Sequence, residues 1–178
     1  MTYFVNNVQE NVYTLAYEGD LLISKTSQVD SYNAREEFEY ENGYLKFRKK
    51  FYFDEGNYIP YITTQYTFEG GNISEALESF TYANKSPYSL HQAYTHDQKN
   101  NPFKNMNKYF NLIYFDQAID GLNTNNLIGN EYYTVGELGA PINIVCEINY
   151  NSEDFPTMIK RRYAHSETPI TITTIEYQ

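Results

Sequence analysis

The stretch Glu37-Phe38-Glu39-Tyr40-Glu41-Asn42-Gly43-Tyr44-Leu45-Lys46-Phe47-Arg48 decides the fold. Asn42-Gly43 is a strong hairpin signal, because both residues tolerate the positive φ of a type I′ turn. Folding the chain there sets a register. Tyr40 is expected opposite Leu45 and Phe38 opposite Phe47 on one face. Glu39 is expected opposite Lys46, and Glu37 opposite Arg48, on the other. Apolar residues then meet apolar ones and opposite charges meet, as cross-strand pairing favours.

The flanking sequence continues in the same manner. Upstream, Tyr13, Leu15 and Tyr17 alternate with polar residues, Gly19-Asp20 turns the chain, and Leu21-Leu22-Ile23 begins the return. Downstream, a turn centred on Glu55-Gly56 predicts Phe53 opposite Tyr58, Phe51 opposite Pro60 and Lys49 opposite Ile62. Gly70-Gly71 places Phe68 opposite Ile73. Ser74 to Glu78 carries helix-compatible residues, but Ile73 and Leu77 share one face, and the segment reads as strand. Leu90 to His96 reads as another strand. Met106, Tyr109, Phe110 and Ile113 fall at helical spacing with Asn105 as cap, predicting one short helix near 104–116. A polar loop from Asp120 to Asn130 follows, then strands at Tyr132–Val135, Ile142–Tyr150, Thr157–His165 and Ile170–Tyr177. The last has an apolar phase shift between Ile172 and Ile175.

Composition agrees. The 178 residues include 20 Tyr and 11 Phe and no Trp, and aromatic residues favour pleated, half-buried surfaces. One β-rich domain spanning 1–178 is the default at this length. The formal net charge of −10 argues against nucleic acid as a partner. Its basic runs, Arg48-Lys49-Lys50 and Lys160-Arg161-Arg162, read as solvated strand faces paired with glutamates. The single cysteine, Cys146, excludes an intrachain disulfide. No apolar window is long enough for a membrane-spanning helix. Met1-Thr2-Tyr3-Phe4 does not read as a signal peptide, leaving either a cytoplasmic protein or an exported one whose leader has been removed.

Three turns repeat one pattern. Tyr17-Glu-Gly-Asp-Leu-Leu22, Tyr40-Glu-Asn-Gly-Tyr-Leu45 and Phe68-Glu-Gly-Gly-Asn-Ile73 each carry an aromatic residue, Glu, a two-residue turn and an aliphatic residue five places on. Across such a turn those outer positions are cross-strand neighbours, so the ring packs on the aliphatic side chain for about 0.2–1 kcal/mol. Gly70 and Gly71 occupy the third turn as Asn42 and Gly43 occupy the second.

The pattern resembles the Tyr-Asp repeats of bacterial surface proteins. The segment Tyr94-Thr-His-Asp97-Gln-Lys-Asn-Asn101-Pro102-Phe103 resembles the Asn-Pro-Phe signature of a group of secreted proteins and lipoproteins from Bacteroidetes, similar to the DUF4595 family, which is described as porin-like in fold. The resemblance covers residues 13–163 and departs at His96, where the signature has Tyr or Phe. It implies export to the periplasm or outer cell surface, and it implies no enzyme activity. Pore formation does not follow, because a membrane barrel needs an apolar outer band. Here one strand face is expected to carry Glu37, Glu39, Lys46, Arg48 and Lys50. A soluble sheet with its Tyr/Phe face inward fits better.

No catalytic, cofactor or metal site stands out. Cys146, between Ile144 and Ile148, reads as a core thiol, since a nucleophile needs a base and an electropositive setting. His91 and His96 are five apart on one strand and point to opposite faces, and His165 is remote in sequence. Asp116, Asp120, Asn123, Asn125 and Glu131 offer oxygen ligands, but their spacing is not that of an EF-hand. Asp97 reads as a cap for local backbone groups. No phosphate cradle, serine elbow or zinc-protease motif is present. Tyrosines supply stiff amphipathic contact area for a glycan or an envelope protein, although sheet rims and inner faces also favour them.

The expected architecture is an antiparallel β-meander of hairpin repeats curled into a partly open barrel. The expected role is non-enzymatic binding or scaffolding at the cell envelope. The alternatives are a hydrolase with a site assembled from dispersed carboxylates and histidines, and a small-molecule or lipid carrier using the barrel interior.

Overall fold

The structure, a computed structural model, describes residues 2–5, 8–27, 34–83, 85–105, 112 and 120–177. Among these residues it is all-β and antiparallel. The strands are β1 (Thr2–Val5), β2 (Val8–Glu18), β3 (Leu21–Ser27), β4 (Arg35–Glu41), β5 (Tyr44–Asp54), β6 (Asn57–Glu69), β7 (Asn72–Phe80), β8 (Tyr88–His96), β9 (Leu127–Thr134), β10 (Ile142–Tyr150), β11 (Pro156–Tyr163) and β12 (Pro169–Thr174). They pair in sequence order, from β1 to β12, and the sheet does not close into a barrel. Among the described residues helix is seen in 3-10 turns at Pro102–Asn105 and Asp120–Leu122 and at the helical, buried Leu112. The remainder of the helix expected near 104–116 lies outside the described residues.

The turns are those the dipeptides predict. Asn42 and Gly43 have φ of 53° and 82°, and Glu55 and Gly56 have 45° and 85°. Tyr17 pairs with Leu22, Tyr40 with Leu45 and Phe53 with Tyr58, as the repeat requires.

Beyond the turn, the register departs from expectation. Tyr40 pairs with Leu45, but Glu39 pairs with Phe47, Phe38 with Arg48 and Glu37 with Lys49. Lys46 is the extra residue of a β-bulge, and the ladder from there on is displaced by one residue. The expected pairs Phe38–Phe47, Glu39–Lys46 and Glu37–Arg48 are therefore wrong. Lys49 likewise pairs with Thr63 rather than Ile62, because Tyr61 is the extra residue between Pro60 and Ile62. The same shift recurs with Ile23 on β3, Ile128 on β9, Thr157 on β11 and Ile170 on β12. In each case the returning strand carries the extra residue.

The bulge reverses which side chains face inward. On β5 the buried residues are Leu45, then Arg48 and Lys50, so burial steps by three across the bulge and by two after it. β3 buries Leu22, then Lys25 and Ser27, and β6 buries Tyr61, then Thr64 and Tyr66. Arg48 and Lys50, expected on a wet face, are inside. Phe47 and Phe51, expected inside, alternate with them on the other face beside Lys49.

The chain forms two compact units. The first comprises Met1–Tyr66 with Leu77–Ser89, and the second Thr67–Ala76 with Leu90–Gln178.

Candidate functional site

In the first unit the bulges bring three cations around one carboxylate. Glu36 on β4 is fully buried between Lys25 on β3 and Lys50 on β5, which are its cross-strand neighbours. Lys25 Nζ lies 2.6 Å from Glu36 Oε1. Arg48 Nε donates to Glu36 Oε2 at 2.5 Å, and Arg48 Nη2 lies at the same distance from that oxygen. Tyr66 is buried against Arg48, and burial pushes its hydroxyl pKa upward. Lys25 also lies over the Tyr13 ring at 5.0 Å. Buried charges persist only when paired in this way. On the opposite strand faces, half-buried Lys49 bonds Glu39 and Arg35 pairs with Glu37, so charge lies on both faces of this part of the sheet. Neighbouring repeats are also tied together, since the Tyr40 hydroxyl donates to the Leu22 carbonyl at 2.9 Å.

The first unit also carries a row of aromatic rings. Tyr52 meets Tyr61 edge-on at 5.9 Å, Tyr61 meets Tyr82 at 5.9 Å, and Phe80 stacks on Tyr88 at 4.6 Å with an interplanar angle of 8°. Phe80 and Tyr82 link the two halves at 6.3 Å. Phe53 and Tyr58 form a second pair across the Glu55-Gly56 turn at 5.2 Å. Lys85 lies over Tyr82 and Arg35 over Tyr58. Phe53, Tyr58 and Tyr88 remain exposed, each by at least 40%.

In the second unit the signature segment is a clamp. The Asp97 carboxylate accepts from the backbone N–H of Lys99 and of Asn126 at 3.0 Å each, from Asn126 Nδ2, and from the Tyr150 hydroxyl. Burial and the Asp97 carboxylate push the Tyr150 pKa far upward. Asn101 is buried and donates to the carbonyls of Asp120 and Asn123 at 2.7 and 2.9 Å, while its Oδ1 accepts from the Phe103 N–H. Pro102 and Phe103 are half-buried in the 3-10 turn that follows. Asp97 therefore does cap local backbone, and it also reaches residues 29 and 53 positions away.

Three of the oxygen ligands weighed for a cation are engaged by protein donors, and Glu131 is exposed. Asn123 Oδ1 accepts from Ile73 N–H at 2.7 Å, Asn125 Oδ1 from Asn72 Nδ2 at 3.0 Å, and Asp120 Oδ2 from Arg161 at 3.0 Å. Asp116 lies outside the described residues. Among the described residues no three His, Cys, Asp or Glu side chains gather as a metal site.

Asp120 also faces His96 and Cys146. Burial raises the Cys146 thiol pKa, against the effect of Arg161, and lowers that of His96, against Asp120 and Asp97. Both directions favour the neutral forms, whereas thiolate–imidazolium catalysis needs the charged ones. His96 Nε2 is buried and finds no hydrogen-bond partner among the described residues. His91 lies on the alternate phase of β8, near Glu75 at 3.8 Å. The stacked pair of Tyr163 and exposed His165 stands at the far end of β11.

Sequence reading located the hairpin turns and singled out Asp97, Asn101, Pro102 and Phe103, with Asp97 as a local cap, but not the long-range bonds that make the segment a clamp. It missed the Lys25–Glu36–Arg48 cluster and the aromatic row. The first was hidden by the bulges. The second had a signal, the density of Tyr and Phe at 51–61 and 80–88, which period-2 reading assigned to the core.

No protein-family model matches the chain, and no curated protein matches it in sequence. In fold it is similar to a solved porin-like protein from Bacteroides vulgatus ATCC 8482, with a TM-score of 0.53 and 14% identity over 99% of this chain and 96% of that one. The likeness is one of fold, and a Bacteroidetes porin-like architecture is the class this β-meander resembles.

Proposed function

We propose that this chain is a non-catalytic binding protein of the bacterial cell envelope, and that the aromatic row of the first unit is its contact surface for glycan. The exposed ring of Tyr88, stacked on Phe80 and through it continuous with Tyr82 and Tyr61, carries this reading. Tyrosine rings offer an apolar surface to sugar C–H groups and a hydroxyl to sugar oxygens. The fold's likeness to a Bacteroides porin-like protein supports an envelope setting. Charge on both faces of β4 and β5 disfavours a lipid-facing strand there, and the salt-bridged interior disfavours a lipid cargo.

The test is affinity electrophoresis in gels containing soluble bacterial polysaccharides, with co-sedimentation on peptidoglycan. The parent chain is expected to be retarded in at least one matrix, and Tyr88→Ala to weaken retention by about tenfold. Equal mobility of parent and variant in every matrix would sink the proposal.

A further inference from the structure

We infer that β12 is a self-association edge, and that its partner is β12 of a second copy of this chain. In the strand order β12 is terminal and, among the described residues, pairs with β11 alone. Protein edges are normally blunted by charges, by proline within the strand or by bulges. This one has Pro169 and the extra residue Ile170 at its start. Thr171 to Thr174 then pair regularly with Arg161 to Met158. Every residue from Ile170 to Thr174 is β-branched, none is charged, and all are exposed, with Ile172 at 58%.

The backbone specifies how a partner would add. Ile175 N–H donates to the Thr157 carbonyl at 3.0 Å, and these two residues lie directly opposite one another in the β11–β12 register. Antiparallel ladders alternate hydrogen-bonded and non-hydrogen-bonded pairs. Thr173 and Thr171 therefore turn their backbone groups towards β11, and Ile172 and Thr174 turn theirs to the open edge. A two-fold axis through Thr173 puts Ile172 of each copy opposite Thr174 of the other, so these outward N–H and C=O groups satisfy one another. Thr173 then faces Thr173 in a non-hydrogen-bonded pair, the arrangement in which side chains come closest.

The strand is its own complement, which is why a second copy is the fitting occupant. β-Branched residues meet β-branched residues, and Thr–Thr pairs are favoured across strands. No like charges are opposed, since Glu176 falls opposite Ile170. On the neighbouring strand Lys160 and Arg162 share one counter-charge within each copy, since both bond Glu147, at 3.2 and 2.7 Å. Arg162 holds the Glu147 carboxyl below its usual pKa, so that this pairing persists into mild acid.

The test reads the unmodified chain. Sedimentation equilibrium is expected to show a reversible monomer–dimer step. Amide exchange by NMR is expected to slow with concentration at Ile172 and Thr174, while Thr171 and Thr173 stay protected at every concentration. Ile172→Lys places a charge on an exposed edge and should weaken the dimer by roughly tenfold with an unchanged circular dichroism spectrum. A monomer at all concentrations, or a dimer whose Ile172 and Thr174 amides exchange at the monomer's rates, would overturn the assignment.

Discussion

Glu36 shows how much one buried carboxylate can hold. It is ion-paired with Lys25 and accepts from Arg48, with no exposed surface of its own. Glu36→Gln leaves both cations buried without their counter-charge, and a loss of about 3–5 kcal/mol in urea unfolding is expected. Glu39→Gln, which removes the exposed bond to Lys49, should cost under about 1 kcal/mol. Equal losses for the two would mean that burial does not set the value of these pairs. His96 makes a complementary case. Burial depresses its folded pKa, so the unfolded chain binds its proton first, near the ordinary value of about 6.5. Its contribution is complete above that value and is lost as pH falls from there through the folded pKa. Stability should therefore decline as pH falls below about 6.5, and His96→Phe should flatten that part of the curve. Asp97 and Asp120 oppose the effect but remain in both chains. A slope unchanged by His96→Phe would assign it to carboxylates alone.

The element scale is where the repeat acts. Gly43 and Gly71 occupy equivalent turn positions with φ of 82° and 83°, so alanine strains both backbones alike. Their surroundings differ. A Cβ at Gly43 meets open space, whereas one at Gly71 would lie 2.6 Å from Thr124 Oγ1. Gly43→Ala should cost about 1–2 kcal/mol and Gly71→Ala measurably more. Adding Thr124→Ala to the second should recover much of the difference in a double-mutant cycle. The turn chemistry of both hairpins was legible, because Asn-Gly and Gly-Gly encode positive φ. The loop that covers Gly71 was not. Asn123, Asn125 and Asn126 read as polar loop, and only folding shows that their side chains bond residues up to 53 positions away. A bulge is similarly silent. Lys46 and Ile23 are ordinary strand residues, and nothing in their identity announces that each stands unpaired.

For the whole molecule, alternation and turns sufficed for an antiparallel meander, and the order β1 to β12 follows from successive hairpins. Which residues face inward did not follow, since each bulge adds an uncounted half-turn to the pattern. Net charge has its own consequence at this scale. Each copy carries −10, so two copies repel at long range although β12 itself is uncharged. Dimerisation should strengthen as salt rises from about 10 mM towards 150 mM, as the Debye length shrinks from about 30 to 8 Å. Sedimentation across that series measures it, and weakening with salt would point to an ion-paired interface elsewhere.

The bulge at Lys46 is in effect a parity bit. Removing that single codon would leave the Asn42-Gly43 turn intact and restore an unbroken ladder. Every residue beyond it would exchange sides. Phe47, Lys49 and Phe51 would turn inward, and Arg48 and Lys50 would turn out to water, leaving Glu36 inside with Lys25 as its remaining cation. A chain built this way tolerates many substitutions on its outer face but few changes of length within a strand. In its relatives, insertions and deletions should therefore collect in the turns and spare the extra residue of each returning strand.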